Sequence, residues 1–289
     1  MMQTAVHQSA IRKDNPTLRL IGKVILYIVL IGLALFTLIP FVWMISSSLK
    51  LDREVFIYPI RWIPETFHWE NYVKIWEKVP LLTYFKNTAF IAIVVTCLQT
   101  LTSSFAAYAF AKLSFKGRDV LFLSYIATIA VPWQAYMLPQ FIMMRSMGLY
   151  DTLWAMVVLQ AFSAFGVFLM RQFYQSIPTE LCEAARIDGL SEYGIWAKIM
   201  LPLSTAAIAT LVIFTFVGTW NDYMGPMIYL TRDVNKTVQV GLRRFIQENS
   251  SDYHLIMAAS LCSLLPVSIV FLALQKYFIE GIATSGLKG

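Results

Sequence analysis

Residues 24–49 read VILYIVLIGLALFTLIPFVWMISSSL, without a single Asp, Glu, Lys, Arg or His. At 1.5 Å of rise per residue, about 20 apolar residues carry a helix across a ~30 Å hydrocarbon core, so this run is long enough to cross a bilayer. Five further uncharged runs follow, at 87–111, 120–144, 152–170, 199–221 and 255–275. Lipid offers the backbone no hydrogen-bond partner, so each run is expected to be a helix. The fold class is therefore an all-α membrane protein with six transmembrane helices, the even number placing both termini on one side. The apolar core of a signal peptide is only ~7–15 residues long, and the first run is accordingly expected to be a retained anchor.

Composition agrees. Of 289 residues, 58% are hydrophobic and only 14% charged, with a mean hydropathy of +0.62; an average soluble domain is roughly 25% charged. The net charge of +6 is spread along the chain rather than gathered into a stripe, which argues against a nucleic-acid partner. Cys97, Cys182 and Cys262 stand singly and read as packing residues, and His7, His68 and His254 lie in three separate regions. No metal site or cofactor is expected. The N-x-S/T matches at Asn235 and Asn249 are short enough to arise by chance. Pro40, Pro132, Pro139 and Pro266 fall inside the apolar runs, where kinks are expected. Lys and Arg divide almost evenly between the two sides. Arg12, Lys13, Arg19 and Lys23 crowd the first helix, and the short loop from Lys112 to Arg118 is basic, so the N-terminus is assigned to the cytoplasm.

Two connecting segments carry a pattern of their own. In the first, Trp69, Tyr72, Val73 and Trp76 recur at i, i+3, i+4 and i+7, which predicts a short amphipathic helix, lying on the outer membrane surface or packed on protein. The second, between the fourth and fifth runs, reads from Ser176 to Pro202 as two short helices with a corner. Pro178 suits a helix start, and Leu181, Ala184, Ala185 and Ile187 offer an apolar side. Gly189 is the expected left-handed residue past the helix end. Ile195, Trp196 and Ile199 are available for burial in a second helix, and Pro202 marks entry to the fifth span.

Periodicity alone allows this second segment to be an amphipathic pair merely lying on the bilayer. Its spacing is more specific. Glu183-Ala184-Ala185, three residues, Gly189, nine residues, then Ile199-x-Leu201-Pro202 resembles the EAA motif of transmembrane subunits in binding-protein-dependent ABC importers. The segments Phe168–Phe173, Ser176–Pro178, Phe214–Phe216, Trp220–Asp222 and Gln275–Gly281 resemble the carbohydrate branch of that family, and within it the shorter permease of the maltose type. The resemblance runs from Pro40 to Gly289. It implies the type I importer fold, divided as a cytoplasmic tail 1–18, a first span 19–49, an extracytoplasmic loop 50–81, a core 82–280 containing the coupling loop 176–202, and a cytoplasmic tail 281–289.

The same resemblance implies the partners: a second homologous permease, a dimer of cytoplasmic ATPase subunits and an extracytoplasmic solute-binding protein, in the bacterial cytoplasmic membrane. It implies that Glu183, Ala184, Ala185, Arg186, Asp188, Gly189, Ile199, Leu201 and Pro202 couple to the ATPase, and that the tail Ser285–Gly289 also reaches it. A solvated helix face is the competing account of Glu183. The chain contains no G-x-x-x-x-G-K-[ST] and no convincing catalytic constellation, so ATP hydrolysis is assigned to the partners and the chain is not read as an enzyme.

Polar groups within spans are costly and mark candidate pathway residues. Trp220, Asn221 and Asp222 combine a ring, an amide and a carboxylate, a set that suits a sugar; a structural tie at the end of the fifth span is the competing account. Gln134 and Gln160, with Gln99 and Gln140, are further candidates. A permease for glycerol phosphate esters, a stand-alone channel and a membrane-embedded enzyme are the alternative functions, of which the last two leave the EAA spacing unexplained.

Overall fold

The apolar runs fold as helices, and no β-strand forms among the described residues. The computed structural model of the chain describes residues 16–246 and 252–286. His7, Arg12, Lys13, Asn249 and residues 287–289 lie outside them, together with the expectations attached to them. The principal helices are α1 (Pro16–Ser48), α2 (Asn71–Lys78), α3 (Leu81–Lys112), α4 (Arg118–Ala127), α5 (Trp133–Ser146), α6 (Leu153–Gln160), α7 (Ala164–Ser176), α8 (Glu180–Ile187), α9 (Glu192–Leu203), α10 (Thr205–Trp220), α11 (Met224–Tyr229) and α12 (Tyr253–Gly286).

Only three of the six expected spans, in α1, α3 and α12, are continuous helices. The other three are bent pairs: α4 with its short 3-10 extension and α5 meet at 99°, α6 and α7 at 42°, and α9 and α10 at 82°. The causes are local. Pro132 caps α5 in an extended conformation and breaks the third run, whereas Pro40, Pro139 and Pro266 remain inside helices. Ser163 accepts a hydrogen bond from Gly166 N through its side chain and so starts α7 afresh. At the third break, Pro202 does not begin the span as expected. It follows a π-helical turn, Trp196–Met200, whose end has Leu201 N donating to Trp196 O, and the chain turns at Ser204 instead.

Helix α3 is the central post, packed against α7, α10 and α6, while α10 packs on α12 and α12 on α1. Small residues permit this closeness, with Ser103, Ser104 and Ala107 all fully buried along α3. Helix α1 is exposed from Arg19 to Val42, a surface for lipid rather than water, and is buried only at its end, at Ser46, Ser47 and Ser48.

The loops gather alternately at two ends. At one end Lys112 Nζ donates to Ile177 O at 2.5 Å, joining the α3–α4 loop to the α7–α8 loop. At the other, Asp52 accepts from Tyr253 N at 2.8 Å, Lys78 pairs with Asp252, and Asn87 donates to Val234 O and Lys236 O at 2.8 and 2.9 Å. Helix α2 sits at this second end. It packs on protein through Asn71 and Ile75, and Asn71 Nδ2 donates to Ser48 O and Lys50 O at 2.9 Å each. Of the apolar face Trp69, Tyr72, Val73 and Trp76, only Tyr72 is half-buried and the other three point away from the protein, so this face is not the one by which the helix packs on the chain.

Asp151 ties this second end together from a left-handed backbone conformation (φ 59°) that Asp tolerates better than most residues. Its carboxylate accepts from Thr231 N at 2.9 Å, Arg232 N at 3.1 Å and Arg232 Nε at 2.5 Å. Burial alone would raise its pKa, but these bonds and that from Asn235 outweigh it and hold the carboxyl down to about 2, against an ordinary 3.8. A folded-state pKa below the unfolded one adds stability that is complete above the unfolded value and lost as pH falls through the folded one. We expect Asp151 to contribute on the order of 2 kcal/mol at neutral pH, lost between about pH 4 and pH 2. Detergent unfolding of Asp151→Asn against the parent chain checks this: the gap between them should be wide at pH 6 and shrink toward pH 2.5. A gap independent of pH would refute it.

Candidate functional site

The segment 176–202 forms a bracket at the end of the bundle. Its inner side is apolar: Cys182, Ala185, Ile195 and Met200 are buried with Ala107 and Tyr108 of α3 and Met170 and Tyr174 of α7. Trp196 Nε1 donates to Ser104 Oγ at 2.8 Å, and Ser104 is also bonded to Tyr174 OH at 2.7 Å, so α9 is pinned to α3 and α7 by directional contacts as well as burial. Lys112 adds a contact to Thr179 Oγ1 at 3.4 Å.

The corner between α8 and α9 is set by three devices. Gly189 takes φ +81°, and behind it Leu190 N donates to Ala185 O at 2.9 Å and Gly189 N to Arg186 O at 3.0 Å, closing the helix end. Ser191 Oγ accepts from Gly194 N and starts α9. Arg186 then pairs across the corner with Glu192 at 2.6 Å, and Tyr108 OH donates to the same carboxylate.

What remains faces away from the bundle. Glu183, Ala184, Arg186, Asp188 and Gly189 are exposed, and no cation among the described residues pairs with Glu183 or Asp188. Ile187 is 87% exposed, against the expectation that it lies on an inward apolar side with Leu181 and Ala184; both of these are exposed too. The helix points Cys182 and Ala185 inward, and at 100° per residue that turns Ile187 outward. Of the other motif residues, Ile199 packs half-buried on the inner cluster, Leu201 is half-buried and Pro202 exposed.

Between the broken helices lies a cleft of about 360 Å³. Its polar wall is Gln99, Gln140, Gln160 and Asp222, with Trp133 and Tyr136 beside them, and Met156 and Leu159 among its apolar lining. Gln99, on the cleft's wall, lies near the middle of α3 (Leu81–Lys112). The wall is braced. Thr215 Oγ1 donates to Gln99 Oε1 at 2.9 Å, Gln99 Nε2 to Gln160 O at 2.7 Å, Thr219 Oγ1 to Gln160 Oε1 at 3.1 Å and Gln160 Nε2 to Asp222 Oδ2 at 3.0 Å. Gly225 N donates to Asp222 Oδ1 at 3.1 Å. A Cβ on Gly225 would stand 2.6 Å from Asp222 Oδ2 and 2.7 Å from Met156 Cε, so any larger residue there would displace the Asp222 carboxylate or the Met156 methyl.

The candidates Trp220, Asn221 and Asp222 therefore part company. Only Asp222 lines this cleft. Trp220 is buried and donates from Nε1 to Ser263 O at 3.0 Å, tying α10 to α12. Asn221 opens instead on a separate cleft of about 250 Å³ beside Gln239 and Ser263. Gln160 lies in the wall, and Gln134 is exposed and outside it. Sequence reasoning missed Trp133 and Tyr136. The signal was present, since Trp133, Tyr136 and Gln140 fall at i, i+3 and i+7 directly after the break at Pro132.

Comparison with known proteins gives this architecture its relatives. The family model described as the binding-protein-dependent transport system inner membrane component matches residues 99–284. The chain is 33% identical over 284 residues to the arabinooligosaccharides transport system permease protein AraQ of Halalkalibacterium halodurans, covering 96% of this chain and 99% of that protein. It is 34% identical over 255 residues to the melibiose/raffinose/stachyose import permease protein MelC of Bacillus subtilis, covering 87% and 91%. Among solved structures, a chain of a bacterial ABC transporter involved in the import of the acidic polysaccharide alginate superposes with a TM-score of 0.79 at 28% identity, over 91% of this chain and 98% of that one. With the family model spanning more than half the chain and relatives at 33% and 34% identity covered over most of their length, the chain belongs to the inner membrane components of binding-protein-dependent transport systems.

Proposed function

We propose that this chain is one of two permease subunits of an ATP-driven importer for sugars or oligosaccharides, and that the 176–202 bracket seats in a cleft of a cytoplasmic ATPase subunit. The carrying observation is the two-sidedness of α8. Its inner side is buried in the bundle, while Glu183, Ala184, Ile187 and Asp188 form an outward face that none of the described residues covers. An apolar side chain 87% exposed beside unpaired carboxylates suits a protein partner with a basic-rimmed pocket better than it suits water. Without a phosphate-binding loop of its own, the chain depends on that partner for ATP hydrolysis.

The relatives named above carry carbohydrates in their descriptions, which supports a saccharide as solute. The bracket end of the bundle faces the cytoplasm in this reading, with both termini, and α2 and the loop 50–81 face outward toward the binding protein. Isolation of the tagged chain from its own host in gentle detergent tests the assembly. A second permease and an ATPase subunit should come with it in near-equal amounts. A chain that returns alone, or only with itself, would overturn the importer reading.

A further inference from the structure

The cleft has a charge character of its own. Among the described residues Asp222 is its single ionisable group apart from tyrosines, and no Lys, Arg or His lines it. Both carboxylate oxygens accept from fixed donors, Gln160 Nε2 and Gly225 N. The carboxylate keeps lone-pair capacity for a solute.

The amides are not equally free. Gln99 and Gln160 use both ends of their side chains within the wall. Gln140 differs. Its Oε1 accepts from Trp133 Nε1 at 3.0 Å and from Tyr229 OH at 3.4 Å, while its Nε2 has no partner among the described residues. The cleft thus offers one strong acceptor, Asp222, and one fixed donor, Gln140 Nε2, beside the rings of Trp133 and Tyr136.

We propose that this chain's half of the pathway passes uncharged, hydroxyl-rich saccharides and rejects uronates and phosphate esters, through Asp222, Gln140, Trp133 and Tyr136. A sugar hydroxyl both donates and accepts, so one ring can give a proton to Asp222 and take one from Gln140 Nε2. Its flat C–H face suits an indole or phenol. A uronate carboxylate or a phosphate finds no cation among the described lining residues and faces the acceptor oxygens of Asp222, so the loss of its hydration goes uncompensated. The inference rests on the importer reading above, and it separates this chain from the alginate-importing structural neighbour.

The test measures uptake by the host, with and without the gene for this chain, of radiolabelled raffinose, lactose and arabinotriose as uncharged probes, and of trigalacturonate and glycerol 3-phosphate as anions. At least one uncharged probe should enter in a chain-dependent way and neither anion should. In the purified complex with its binding protein, Trp133→Ala and Asp222→Lys should cut that uptake tenfold or more, while ATPase co-purification stays within twofold of the parent. Chain-dependent uptake of an anion at a comparable rate would overturn the charge inference and leave the importer reading standing. Unchanged uptake in both cleft variants would overturn the cleft assignment. Chain-dependent uptake of no probe would instead sink the saccharide-importer reading on which the inference rests.

Discussion

A Gly189→Val chain should reach the membrane and yet keep less than a tenth of the parent's ATPase co-purification and ATP-dependent uptake. Gly189 sits at φ +81°, with open space around the position a Cβ would take, so the obstacle is backbone conformation alone. A β-branched residue there costs on the order of 1–2 kcal/mol locally. The spans lose none of their contacts, because Gly189 touches none of them. The corner instead relaxes toward a right-handed residue, and the pairing of Arg186 with Glu192 across it is lost. The outward face of α8 then leaves the angle at which it meets its partner. Gly189→Asn gives the discriminating comparison, since Asn tolerates the left-handed region and should retain more than half of the uptake. Ile187→Asp should match the valine variant in losing the ATPase, through the face rather than the corner. If Gly189→Val transports normally, the bracket is not the coupling element.

How much of this was legible follows the range of the interaction that sets each feature. The six uncharged runs are a local property of composition, and helices form in all six regions. That three of them are broken could be read only in part, because proline marks a break at Pro132 and does not at Pro40, Pro139 or Pro266. Whether a helix survives a proline depends on neighbours that repair the lost bond, and sequence does not supply the neighbours. Gly189 was readable as a left-handed corner because only the adjacent backbone decides it. The facing of α8 was not, since Leu181, Ala184, Ala185 and Ile187 are all apolar and only packing on α3 and α7 selects Cys182 and Ala185 for burial. The cleft is least legible of all. Gln99, Trp133, Gln160 and Asp222 come from four separate stretches, and Asn221 and Asp222 are adjacent in the chain yet open on different clefts.

The Trp220-Asn221-Asp222 run offers the second large effect, because its neighbours predict opposite phenotypes. Trp220 is 2% exposed, stacks on Phe216 with centroids 5.6 Å apart, meets Phe85 edge-on at 6.0 Å and bonds to Ser263 O. Trp220→Ala should therefore destabilise by about 3–5 kcal/mol, the range for truncating a buried aromatic side chain. In detergent this should appear as a melting temperature lower by on the order of 10 °C. Trp220→Phe keeps most of the packing but leaves Ser263 O without its donor, and should cost about 1–2 kcal/mol. Asp222→Asn preserves the shape of the group but turns one of its two acceptors into a donor, set against Gln160 Nε2 or Gly225 N. It should cost about 1–2 kcal/mol, well below Trp220→Ala, while lowering uptake several-fold. The two residues are thus separated by which measurement responds. A Trp220→Phe chain that melts like the parent but imports poorly would return the indole to the solute pathway, and an Asp222→Asn chain that melts early but imports normally would make the carboxylate a tie between α10 and α11. Because the carboxylate's donors, Gln160 and Gly225, come from the break after α6 and the start of α11, the expected order is stability at Trp220 and transport at Asp222.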